Sequence, residues 1–423
     1  MSRKKGSLAK KFFSLAAAIA ALAFLLLSPA AIARGIHKNV YTLQAERRAA
    51  AYRGNLTLWH IVSFKTGGKS GISLLRQRVA RFEKKHPYVF IEVMGLTPEE
   101  ARQRLERGER ADLYSYPLGY FAESAAFLPL PEAETLAAPF GDCARSDGQL
   151  YAYPYMADAY VLAANGAAFS KAGLELPLEG RLSLPLFRQA LSRLQPEDAA
   201  LPTLGLSDTW GLIPEEALAY AQFSEDDLLP WDVPQEELAR KKAGTIGTCS
   251  SAVFLGGQVP MMLLPLGEYQ TLLTREEAAG MDLRAFSLGS YTDMVQLIAA
   301  AATDDPAKAA VCREFAADLL SPAAQKGIEE LLLFPTTFQE ELFAADGLYA
   351  GEYPLLLEQA AVPSSFRMAA HYSAAKKAAG QQLLGQQPGV PAHVLLSLSP
   401  PPDPDFSCAG LVEQKGGLVY NDS

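Results

Sequence analysis

Leu56-Thr57-Leu58-Trp59-His60-Ile61-Val62 opens the stretch that decides the fold, and Lys65-Thr66-Gly67-Gly68-Lys69-Ser70-Gly71 follows it. A helix-period segment then runs from Ile72 to Lys85, before Pro87 and a second apolar run, Tyr88-Val89-Phe90-Ile91-Glu92-Val93. The order is strand, glycine-rich turn, helix, strand. It predicts a parallel strand pair joined by a crossover helix. In the helix, Leu74, Leu75, Val79 and Phe82 recur at spacings of three and four and face the sheet. Arg76, Arg78, Arg81, Lys84 and Lys85 take the other face and read as a solvated surface. In open α/β sheets the loop after such a strand points toward a ligand crevice. Gly67, Gly68 and Ser70 therefore read in two ways: as a helix entry beside a ligand, or as an anion site at a helix N-terminus.

The bulk composition fits a multi-domain globular protein. The chain has 423 residues, of which 49% are hydrophobic and 20% charged, and a formal net charge of −9. No long basic run follows the first residues, which argues against nucleic-acid binding. Cys143, Cys249, Cys312 and Cys408 form no CxxC pair and no disulfide scaffold; one or two structural disulfides among them stay open.

Arg3, Lys4, Lys5, Lys10 and Lys11 precede an almost wholly apolar segment, Phe12 to Leu27, and then Ala31-Ile32-Ala33. This is the pattern of a secretory signal. Counted through Ala33, the apolar stretch also reaches the length of a membrane anchor. Either way the body of the protein is expected outside the cytoplasm, secreted or tethered to the outer face of the membrane by an uncleaved N-terminal helix.

Further along, Thr97-Pro98-Glu99-Glu100 is a helix start and Asp112 to Tyr116 a short strand. Phe121 to Phe127 reads as a short helix. Pro214-Glu215-Glu216 and Pro234-Gln235-Glu236 look like further helix starts. Gly256-Gly257 supplies a turn before the strand around Met261 to Leu264. Val295 to Ala302 is another apolar run. Helices follow from Ala307 to Leu320 and around Phe366 to Leu384, and the tail from Ser399 is extended.

Several segments together resemble extracellular solute-binding proteins of the sugar-binding type, the receptors of ABC importers. They are Leu58-Trp59 with Phe82-Glu83-Lys84-Lys85-His86-Pro87; Ala111-Asp112-Leu113; Asp147-Gly148-Gln149-Leu150-Tyr151-Ala152-Tyr153-Pro154; and Phe254-Leu255-Gly256-Gly257-Gln258-Val259-Pro260-Met261-Met262. Asp305-Pro306-Ala307-Lys308, Leu319-Leu320-Ser321-Pro322-Ala323-Ala324-Gln325 and Pro335-Thr336 continue the likeness, which spans about residues 55 to 385. It implies an α/β, two-lobed, type II periplasmic-binding-protein-like fold. Each lobe would be a mixed sheet flanked by helices, preceded by the N-terminal apolar helix. The expected division is 1-33 signal or anchor, 34-54 linker, 55-156 and 293-340 lobe I, 157-292 and 341-398 lobe II with the late helices, and 399-423 tail. The chain would cross between lobes near Tyr155 to Asp158 and return near Ser290 to Leu297.

A sugar site needs aromatic platforms and a few fixed donors and acceptors. Trp59 lies within the first strand and reads as core or as platform. Ser63 and Lys65 sit beside the first loop. Tyr116 and Tyr120 follow the third strand and read as cleft or packing residues. The resemblance implies a ligand-contacting carboxylate at Asp158, against the alternative of a hinge salt bridge. Trp210 lies in a polar loop, Ser207-Asp208-Thr209-Trp210-Gly211. Glu268 and Tyr269, and Tyr372, fall where relatives carry ligand-stacking groups. No Gly-x-Ser-x-Gly, P-loop, His-Glu-x-x-His or EF-hand loop is present, so no catalytic residue, metal site or cofactor is assigned. The expectation is a monomeric, non-enzymatic receptor whose partners are a small solute, a sugar by resemblance, and an ABC permease. A membrane-anchored accessory or sensor protein on the same fold is the alternative. Two departures from the family motivate it: no lipobox cysteine follows the apolar segment, and Val259-Pro260 replaces the usual residue before Met261.

Overall fold

The computed structural model describes residues 52–62, 66–178, 180–207, 239–240, 243–287, 294–337, 353–359 and 366–383. The N-terminal apolar segment, Ser63, Lys65, Trp210, the helix starts at Pro214 and Pro234, Cys408 and the extended tail lie outside these residues.

The opening unit forms as its pattern requires. Strand β1, Gly54–Ile61, pairs in parallel with β2, Val89–Leu96, from Gly54↔Val89 to Ile61↔Leu96. Helix α1, Gly71–Lys85, crosses between them and buries Leu74, Leu75, Val79 and Phe82. Ser70 caps it: its Oγ accepts from Ser73 N–H at 3.3 Å. Arg78 departs from the solvated face expected for it. It is 4% exposed, and its Nη2 donates to Asp318 Oδ2 at 2.5 Å. A guanidinium is tolerated there because a carboxylate on a later helix meets it. Helix α2, Pro98–Glu106, starts with a full capping box between Thr97 and Glu100.

Strand β3, Leu113–Pro117, joins the other edge of β1 in parallel. Phe121 to Phe127 is not helical. Its two aromatic rings pack against Tyr114 and Tyr116, and that burial sets the path of the chain. A two-residue hairpin, β4 Arg145–Ser146 with β5 Gln149–Leu150, leads to β6, Tyr153–Ala157.

The chain then leaves this sheet. Strand β7, Tyr160–Asn165, begins a second sheet with β8 Leu204–Leu206, β9 Ile246–Thr248, β10 Met261–Pro265 and β11 Leu283–Phe286. Its order is β11-β7-β10-β8-β9. Helix α3, Leu184–Arg193, lies between β7 and β8 in sequence, and α4, Leu266–Leu273, follows β10. Strand β12, Val295–Ala300, returns to the first sheet and inserts antiparallel between β3 and β6. The first sheet is thus β2-β1-β3-β12-β6. The segment 333–337 also stays on this side, since Ala157 and Phe334 exchange both backbone hydrogen bonds, at 2.8 and 3.0 Å. Helix α5, Pro306–Asp318, supplies the carboxylate for Arg78.

Helix α6, Phe366–Leu383, packs on the loop after β3. Ser373 Oγ donates to Leu118 O at 3.3 Å, and Phe366 stacks on Phe127. Further along α6, Lys376 lies over the Tyr160 ring. Cys143, Cys249 and Cys312 are buried free thiols, so these three form no disulfide.

Candidate ligand-binding site

The register of the first sheet assembles a polar cluster from four strands. His60 in β1 lies opposite Ser115 in β3, and β12 and β6 carry Gln296 and Tyr155 to the same place. His60 Nδ1 is 2.8 Å from Ser115 Oγ, and Tyr155 Oη is 2.9 Å from the same oxygen. Gln296 Nε2 donates to Ser115 Oγ and to Ile61 O, both at 3.0 Å. Burial pulls the His60 pKa down to about 4, so its ring is neutral at physiological pH.

A cavity of about 320 Å³ opens over this cluster at the C-terminal edge of β1. It is lined by His60, Met156 and Gln296 from the sheet, Val62 just past β1, and Thr66, Gly68, Ser70, Gly71 and Ile72 around the start of α1. The volume lies at the small end of ligand pockets, which run roughly 300–1,000 Å³.

The glycine-rich turn is a helix entry in this structure. Gly67 and Gly68 N–H donate to Leu331 O at 3.1 and 3.4 Å, and Lys69 N–H donates to Glu330 O at 2.9 Å. These three donors are spent on the chain itself and are not offered to an anion. Gly68 is required by the close approach: a Cβ there would collide with the Glu330 carbonyl.

The expected site residues divide into three groups. Trp59 and Tyr116 are core residues, 3% and 0% exposed. Trp59 meets Tyr114 edge-on at 5.7 Å, and Tyr116 packs against Phe121 and Phe127, so neither ring faces the cavity. Tyr120 donates to Pro98 O at 2.9 Å, a packing role.

Asp158, Glu268 and Tyr269 come together where the chain enters the second sheet. Asp158 Oδ1 accepts from Ala159 N–H at 2.8 Å and from Gly267 N–H at 3.3 Å. It therefore caps α4, whose own N-cap residue, Pro265, gives no side-chain hydrogen bond. Burial pushes the Asp158 pKa up to about 8 against the pull of these N–H groups. Glu268 is buried, and its two oxygens accept from Ser207 Oγ and Ser251 Oγ, each at 2.7 Å. Tyr269 is buried in the core, and Tyr372 is half-buried on α6. Ser63, Lys65 and Trp210 lie outside the described residues.

His60 and Gln296 were not singled out by sequence reasoning. The available signal was polar side chains inside two apolar runs: His60 with Thr57 in Leu56–Val62, and Gln296 alone in Val295–Ala302.

The two sheet orders, with a late strand inserted antiparallel into the first, define a two-lobed type II periplasmic-binding-protein fold. Solved structures share it. A chitin oligosaccharide binding protein is 15% identical, with 82% of this chain and 97% of that one covered and a TM-score of 0.56. A protein of xylan utilization by the thermophilic bacterium Caldanaerobius polysaccharolyticus is 15% identical, covering 79% and 97%, with a TM-score of 0.51. The galacto-N-biose/lacto-N-biose I-binding protein of an ABC transporter from Bifidobacterium longum is 13% identical, covering 82% and 94%, with a TM-score of 0.50. No protein-family model and no curated protein matches the chain.

Proposed function

We propose that this chain is a non-catalytic, extracytoplasmic receptor for a small carbohydrate, which it holds between its two lobes and delivers to an ABC-type permease. The observation that carries this reading is the cavity over a hydrogen-bonded polar cluster, at the strand ends where open α/β sheets bind ligands. The names of the structural neighbours, which concern chitin oligosaccharides and lacto-N-biose, add support for a sugar. Lobe I comprises 55-156 and 293-340, lobe II 157-292 and 341-398, and closure turns on the segment around Asp158. The N-terminal apolar segment directs the body out of the cytoplasm, and an uncleaved segment tethers it there. Mass spectrometry of the mature N-terminus distinguishes tether from release.

The test is thermal unfolding against a sugar panel. A ligand at a hundredfold excess over Kd raises stability by about 2.7 kcal/mol. Chitobiose, xylobiose, mannobiose and lacto-N-biose form the first panel, and at least one is expected to raise Tm. A flat response to every sugar contradicts the carbohydrate reading.

A further inference from the structure

The cluster under the cavity has a proton inventory that fixes what it offers upward. Tyr155 is fully buried, and the only acceptor within reach of its hydroxyl among the described residues is Ser115 Oγ. Were Ser115 to donate to Tyr155, the tyrosine proton would be buried without an acceptor, a costly arrangement. Tyr155 therefore donates to Ser115. Gln296 Nε2 donates to the same oxygen. Ser115 Oγ then accepts twice, and its single proton goes to His60 Nδ1. His60 is neutral, so its own proton sits on Nε2.

Among the described residues no acceptor engages His60 Nε2, and the ring lines the cavity while only 3% exposed. Gly71 leaves that nitrogen open; a Cβ there would lie 2.8 Å from it. Gln296 is arranged in the opposite sense. Its amide protons go to Ile61 O and Ser115 Oγ, which leaves Oε1 as an acceptor with no donor engaged among the described residues.

We propose that His60 Nε2–H and Gln296 Oε1 are a donor–acceptor pair that recognises hydroxyl groups on one edge of a neutral sugar. This rests on the receptor reading above and deepens it. A hydroxyl both accepts and donates, so adjacent hydroxyls satisfy both groups. A carboxylate, or a phosphate that has lost all its protons, brings no proton for Oε1. An ammonium brings no acceptor for Nε2–H. Val62, Ile72 and Met156 supply the apolar wall that a sugar's C–H face needs.

Two measurements on the full chain test this. Long-range ¹H–¹⁵N spectra of ¹⁵N-histidine protein, assigned with His60→Gln, report the tautomer. A proton on Nε2 is expected; a proton on Nδ1 overturns the assignment. Calorimetric titration with chitobiose, xylobiose, mannobiose and lacto-N-biose then compares the wild type with His60→Asn, His60→Gln and Gly71→Ala. Asn keeps a polar group at the Nδ1 position and loses the reach of Nε2; Gln restores an amide donor there. Loss of one hydrogen bond is expected to weaken binding about tenfold in His60→Asn, with partial recovery in His60→Gln. Gly71→Ala, which covers Nε2, is expected to weaken it as well. Sugar binding at wild-type affinity in both His60→Asn and Gly71→Ala overturns this proposal and leaves the receptor reading intact. Absence of binding by every sugar to the wild type overturns both.

Discussion

Gln325→Leu is expected to lower the free energy of unfolding by roughly 4 kcal/mol, among the largest effects of any single substitution in this protein. The side chain is 1% exposed and fully engaged. Its Nε2 donates to Tyr155 O at 2.9 Å and to Leu319 O at 2.8 Å. Its Oε1 accepts from Thr336 N–H at 2.9 Å and from Thr337 N–H and Oγ1, both at 3.3 Å. Leucine fills similar volume and removes all of these, leaving buried N–H and C=O groups without partners. Each costs about 1–3 kcal/mol, and relaxation recovers part of the sum. The glutamine ties the end of β6 to segment 333–337, which pairs with Ala157 beside the crossing into the second sheet. Ligand affinity should therefore fall along with stability. Urea unfolding measures the stability effect, and a loss below about 1 kcal/mol would contradict the role assigned to Gln325.

Stability is also expected to fall by about 2 kcal/mol between pH 6.5 and 8, with Asp158 as the cause. Its folded pKa, about 8, lies above the ordinary value of 3.8. The folded state thus holds a proton that the unfolded chain has released. The stabilisation is complete below pH 4 and is lost as pH rises to 8. His60 acts in the opposite sense. Its folded pKa, about 4, lies below the ordinary 6.5, so its contribution is complete above pH 6.5 and is lost as pH falls toward 4. The two slopes oppose one another between pH 4 and 6.5, and above that Asp158 acts alone. Asp158→Asn keeps an acceptor for Ala159 and Gly267 N–H and removes the titration. It should flatten the profile above pH 6.5 and raise Tm at pH 8. Chemical denaturation at pH 6.5 and 8 reads this directly, and an unchanged slope in Asp158→Asn would remove Asp158 as the source.

The crossover unit was legible because its constraint is local. Two apolar strand runs, Ser70 at a helix start and the apolar face of α1 all lie within forty residues of one another in sequence. The resemblance extended this to the two-lobed fold, which the sheet orders bear out. The polar cluster at the cavity was not legible. Ser115 and Gln296 are 181 positions apart, and only the antiparallel insertion of β12 brings them together. Arg78 carried the same difficulty: its partner Asp318 is 240 residues away, so a buried cation looked like one of five on a wet helix face. Trp59 was ambiguous in the sequence, since a tryptophan within a strand suits the core and, beside the first loop, could also serve a sugar as a platform. Its contact with Tyr114 resolves it to the core.

A receptor that holds its ligand between two lobes must close on it. Small-angle X-ray scattering of the full chain, with and without the sugar that raises Tm most, measures this closure. Closure of two lobes around a bound ligand predicts a smaller radius of gyration at saturation. An unchanged radius in the presence of calorimetrically proven binding would contradict lobe closure.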